Sequence, residues 1–129
     1  MNLTPIRTLP KQTTKKKYTS STPEGKVKDV LRNYLEKHKI WYYCPVSGGY
    51  SRNGVPDFFI LHHGRFIGVE VKHDGEKATA LQKLEGEKIV TAGGAWFQVA
   101  GVEAMREFVK IELGVDCETC GYTPCEENC

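Results

Sequence analysis

Apolar positions along the chain recur at helical spacing in three stretches and crowd into strand-like runs in four others. Val27, Val30, Leu31, Tyr34, Leu35 and His38 follow one another at three- and four-residue steps, the buried stripe of an amphipathic helix. Thr22-Pro23-Glu24 marks its start with a capping residue, a proline at the first helical position and an acid in the first turn. The helix is expected to end near Lys39, and residues 40–46, rich in β-branched and aromatic side chains, predict a strand. Residues 47–54 hold three glycines and read as a loop. Two apolar runs, 57–61 and 66–72, flank His62-His63-Gly64-Arg65 and predict a hairpin with glycine in its turn. Past a polar stretch, residues 79–91 predict a second helix capped by Thr79, its inner face drawn through Leu81, Leu84, Lys88 and Ile89, and ended by Ala92-Gly93-Gly94. Residues 95–100 predict a fourth strand. Residues 102–113 predict a closing helix with Met105, Phe108, Val109 and Glu112 in step. Joining strands three and four through a helix implies a right-handed crossover and a mixed sheet, an α/β fold.

Charges interrupt this apolar pattern at one place. Pro56-Asp57 opens the second strand, and Glu70-Val71-Lys72 closes the third. Alternate residues of a strand share a face, so Glu70 and Lys72 point one way and Val69 and Val71 the other. The start of one hairpin strand lies beside the end of its partner, so Asp57, Glu70 and Lys72 are expected to meet. Glu-x-Lys on a strand is common on solvated faces, and Pro-Asp alone is a turn signal. Their conjunction in otherwise apolar strands says more, because buried charges need partners or an ion. Two adjacent carboxylates repel unless a cation lies between them, and oxygen-only ligands select Mg²⁺ or Mn²⁺. Such an ion polarises a phosphodiester and activates a bound water, which a nearby lysine can orient or deprotonate.

Composition and charge narrow the setting. The 129 residues suit one domain, and no apolar run approaches the length that spans a bilayer. The N-terminus lacks the apolar core of a secretory signal, so a cytoplasmic protein is expected. The net charge of +2 hides segregation: residues 1–22 carry five bases and no acid, and residues 116–129 carry four acids and no base. A basic arm before a near-neutral domain suits contact with a polyanion, although a solvated tail has the same composition. The organisation expected is an arm over 1–21, a domain over 22–115 and a cysteine-rich tail over 116–129.

The run Gly54-Val55-Pro56-Asp57, an apolar strand, then Gly68-Val69-Glu70-Val71-Lys72 resembles the PD-(D/E)XK nuclease signature. Within that superfamily it is most similar to the VRR-NUC domains, found as standalone proteins, many phage-encoded, and in the Fanconi-associated nuclease. A glutamate early in the first helix (Glu24), the Gly/Ser loop before Pro-Asp, a glutamine early in the following helix (Gln82) and Ala92-Gly93-Gly94-Ala95 before a strand add to the likeness, which spans about residues 22–112. The resemblance implies a restriction-endonuclease-like αβββαβ core and Mg²⁺- or Mn²⁺-dependent hydrolysis of DNA. It implies a preference for branched DNA such as four-way junctions, and a homodimer. Asp57, Glu70 and the Val71 carbonyl would be metal ligands, with Glu24 a further candidate, and Lys72 would handle the water. Glu24 equally suits the helix dipole. Gln82 would bond the Lys72 region or a phosphate, and Arg52 and Lys77 flank the site as candidate phosphate holders. His62 and His63 lie at the far end of the hairpin and receive no role.

Four of the five cysteines crowd the C-terminus as Cys117-x2-Cys120-x4-Cys125-x3-Cys129. The spacing loosely resembles a zinc knuckle, and four thiolates can close a structural Zn²⁺ site, although reduced thiols or disulfides fit the pattern too. Cys44, within an apolar strand, reads as a small core residue. Two other functions stay open: a DNA-binding recruitment module that no longer cuts, and a nuclease for single-stranded ends or RNA.

Overall fold

The computed structural model describes residues 17–46 and 52–114. The arm up to residue 16, most of the glycine loop, and Cys117, Cys120, Cys125 and Cys129 lie outside the described residues. The elements run α1 (Pro23–Lys37), β1 (Trp41–Tyr43), β2 (Phe58–His62), β3 (Arg65–Lys72), α2 (Ala80–Thr91), β4 (Ala95–Ala100) and α3 (Val102–Glu112). Local chemistry explains their ends. The Thr22 hydroxyl accepts from the Gly25 N–H at 3.1 Å, with Pro23 opening α1 as expected. The hairpin between β2 and β3 turns on His63 and Gly64, both at positive φ (50° and 75°), the backbone a tight two-residue turn requires.

One sheet holds the strands in the order β1-β2-β3-β4, antiparallel between the first three and parallel between β3 and β4. This is the mixed sheet expected from the chain order. Phe58 and Ile60 pair with Val69 and Ile67, and all four side chains turn to one face. There they meet Val27, Leu31 and Leu35 of α1 and Met105, Phe108 and Val109 of α3, forming the core. The Tyr34 hydroxyl ties α1 to the end of α3 by donating to the Leu113 carbonyl at 3.0 Å. Cys44 is half-buried against this core. Upstream of α1, residues counted with the arm are tied down: Tyr18 exchanges two backbone-to-side-chain bonds with Asn33, and Ser20 N–H donates to the buried Asp29 carboxylate.

Two expectations need correcting. β1 is three residues long rather than seven: Lys39 takes positive φ (55°) and Ile40 N–H closes onto the Leu35 carbonyl at 2.9 Å, which takes Ile40 out of the strand, and the pairing with β2 stops at Tyr43. Ile40 is therefore a buried cap on the end of α1. The inner face of α2 also differs: Leu81 and Leu84 are exposed, and Glu85 and Gly86 are the buried pair. Gly86 lies directly on the Trp96 indole, where an added Cβ would fall 2.3 Å from the ring. A helix seated this closely presents a glycine to the sheet, which apolar periodicity cannot register. Among the described residues, no helix is long and apolar enough to cross a membrane.

Candidate active site

The hairpin register builds the site. Carrying the Phe58↔Val69 pairing one step outward sets Asp57 across from Glu70, on the face opposite the core. Asp57 is fixed there by its Oδ2, which accepts from the Val71 N–H at 2.9 Å. Glu70 is 2% exposed, and Lys72, two residues on, is 7% exposed. The Lys72 Nζ stands 3.7 Å from Glu70 Oε1 and 4.0 Å from Glu76 Oε1. Asp57, Glu70 and Lys72 therefore come together as the strand pattern requires.

Gln82 is held by both ends of its amide. Its Oε1 accepts from the Thr79 N–H at 2.8 Å, completing a reciprocal capping box with the Thr79 hydroxyl. Its Nε2 donates to Glu70 Oε1 at 2.7 Å. The glutamine thus bonds the carboxylate itself rather than the Lys72 region. Glu24 stands farther out, 3.9 Å from the Lys28 ammonium, which lies 3.6 Å from Asp57 Oδ1. Lys28 was not legible in the sequence: it sits beside the apolar stripe of α1, and only the docking of that helix carries it to Asp57.

Glu70 is the electrostatic centre. Oε1 has Gln82 and Lys72, but Oε2 is fully buried and finds no hydrogen-bond partner among the described residues. Burial, and then the nearby Asp57 charge, push the Glu70 carboxyl up to about 8, against the pull of Lys72. At neutral pH the carboxyl thus tends to hold a proton, and a cation beside Oε2 would take that proton's place. Among the described residues, no three His, Cys, Asp or Glu side chains gather as a ligand group. Asp57 and Glu70 are the carboxylates able to share an ion, and further oxygens have to come from backbone or water.

The remaining basic candidates part company. Arg52 grips Glu85 with contacts of 2.8 to 3.1 Å, which holds that carboxyl below its ordinary range. Its guanidinium ties the loop to α2. Lys77 is exposed. A cavity of about 260 Å³ lies beside the site, with Pro56, Phe59, Phe66 and Ile89 among its lining; the catalytic candidates do not line it. Gln98, which the sequence reading passed over, accepts from Ala78 N–H at 3.0 Å and so fixes the linker into α2. Its signal was weak, one polar residue in an apolar strand.

No protein-family model matches the chain, and no curated protein matches it by sequence. Solved structures do match its fold. One, described as a VRR_NUC domain, superposes with a TM-score of 0.62 at 23% identity, covering 71% of this chain and 99% of the other. A second, described as a VRR_NUC domain protein, gives 0.55 at 18% identity, covering 70% and 88%. The chain has the fold of these VRR_NUC structures, the α/β architecture with a mixed four-stranded sheet expected from its sequence.

Proposed function

We propose that this chain is a nuclease of the VRR-NUC type, hydrolysing phosphodiester bonds of DNA with Mg²⁺ or Mn²⁺ held by Asp57 and Glu70. The observation that carries the reading is Glu70 Oε2, buried and without a partner among the described residues, on a carboxylate that lies across from Asp57 and whose Oε1 stands 3.7 Å from Lys72 Nζ. A buried oxygen left without a partner is costly, and a divalent cation satisfies it. When bound, such an ion polarises the phosphate and acidifies a water. The Val71 carbonyl completes the proposed ligand set, and Glu24 would join through water or on movement of Lys28.

The chain's own groups have separable tasks. Lys72 Nζ orients the attacking water and takes part in moving its proton. Gln82 Nε2 fixes the rotamer of Glu70, so the free oxygen keeps its direction. The Val71 N–H does the same for Asp57. Branched DNA is the proposed substrate: a body this small has little surface for reading bases, and shape offers a larger target. A homodimer would match the symmetry of a junction with two strands to cut. The Cys117, Cys120, Cys125 and Cys129 cluster is proposed as a structural Zn²⁺ site, the basic arm as a further DNA contact, and the cytoplasm as the site of action.

The test is cleavage of labelled four-way junction, flap, duplex and single strand with Mg²⁺, Mn²⁺ or EDTA, beside Asp57→Ala. Metal-dependent cutting that vanishes in the variant is expected. Binding without cutting in either metal would replace the nuclease with the recruitment module.

A further inference from the structure

The site occupies one end of a sheet face that α2 only half covers. Gly68 and Trp96 lie under α2, against Ile89 and Gly86. Among the described residues, the β1–β2 half of the same face is left largely exposed. The register sets Trp41 across from Leu61, Tyr43 across from Phe59, and Leu61 across from Phe66, so these five side chains share that face. Trp41 is 59% exposed, Tyr43 53%, Leu61 47% and Phe66 38%. Their rings adjoin at a tilt: Tyr43 and Phe59 have centroids 6.4 Å apart at 34°, Phe59 and Phe66 5.5 Å apart at 44°. Asp57, Phe59 and Leu61 alternate along one strand, so the aromatic strip begins one strand repeat from the candidate catalytic carboxylate.

We propose that this strip is a stacking platform for unpaired nucleobases, leading a single-stranded segment into the site. The inference rests on the nuclease reading, which gives the strand its destination. Three observations favour nucleobases as the occupant. The strip is continuous with the carboxylate pair on the same sheet face, so whatever covers it lies against the substrate path. Four of its five side chains are aromatic, the type on which any base can stack. Lys88 and Arg52 line the cavity that borders Phe59 and Phe66; both pair with Glu85, which lines it too, and the trio keeps a net positive charge that suits a backbone of opposite charge. A second copy of the chain is the rival occupant.

The experiment uses the full chain in EDTA with labelled oligo(dT), oligo(U) and a blunt DNA duplex, read by anisotropy. The variants are Trp41→Ala, Tyr43→Ala, their combination, and Trp41→Phe. Both alanine sites are exposed, so the fold should survive. Each ring removed is expected to weaken single-strand binding about five- to a hundredfold, with duplex affinity unchanged and Trp41→Phe close to wild type. The two oligomers separate a DNA strand from an RNA strand as the source of the bases. Unchanged single-strand affinity, or an equal loss on duplex, would overturn the platform. So would a double variant that sediments as a monomer where wild type is a dimer, with its single-strand affinity intact. Cleavage with Mn²⁺ beside Asp57→Ala keeps the two readings apart. Asp57-dependent cutting without ring dependence sinks the platform alone. Ring-dependent binding without cutting sinks the nuclease and keeps the platform as a binding surface.

Discussion

The two ends of the β2–β3 hairpin both carry clustered charge, and they have little else in common. At the turn, His63 and Arg65 flank Gly64 in open solvent, with His62 half-buried beside them. Arg65 pairs with Glu112 at 3.0 Å, and the two histidine rings adjoin with centroids 4.0 Å apart. Burial and the neighbouring His63 hold His62 below its usual value. At the open end, Glu70 and Lys72 are buried, Gln82 of α2 bonds Glu70, Asp57 lies across from it, and one Glu70 oxygen has no partner among the described residues. Charge alone does not mark a site. A buried carboxyl with an oxygen left over, beside a second carboxylate and a lysine, is the stronger candidate, and the proposed function has a cation supply the missing partner.

That contrast can be broken at several points. The largest effect is expected at Lys72. Lys72→Ala should slow metal-dependent cleavage by about 10²- to 10⁴-fold in single-turnover assays, and an unaltered rate would refute its role. Glu70→Gln comes next. Because the folded carboxyl is raised to about 8 from the ordinary 4.5, the folded state binds more protons than the unfolded state between those values. The stabilisation is therefore complete below about pH 4.5 and is lost as pH rises through about 8. The loss should be on the order of a few kcal/mol in metal-free protein, and denaturation in EDTA across this range would measure it. The glutamine variant should flatten the profile; a wild type already flat in EDTA would remove the electrostatic account. The smallest effect belongs to the turn. Arg65→Ala should cost less than about 1 kcal/mol and leave cleavage intact, as expected of an exposed ion pair, and a loss of cleavage would erase the difference between the two ends.

The open end was legible because strand alternation and hairpin geometry are short-range rules. Pro56-Asp57 and Glu70-Val71-Lys72 needed only a turn at His63-Gly64 to be brought opposite one another. Helix α1 was legible for similar reasons, from the Thr22-Pro23 start to the Val27, Leu31 and Leu35 stripe. What escaped depends on docking between elements. Lys28 reaches Asp57 only once α1 is placed on the sheet, and Gly86 rather than Leu81 or Leu84 meets the sheet because Trp96 rises beneath it. The open aromatic face escaped as well, since Trp41, Tyr43 and Phe66 read simply as strand formers. Their exposure follows from where α2 ends its cover.

The capping box at the start of α2 has a consequence of its own. One glutamine amide both closes the first turn of that helix and holds Glu70. The constellation from Asp57 to Gln82 therefore lies within a single short stretch of chain, whereas the tie between α1 and α3 spans 79 positions. Short loops close at little entropic expense, so the frame of the site is written locally. Such a segment can stay fixed while the helices around it drift in sequence, which allows one small scaffold to keep its chemistry and change its surfaces.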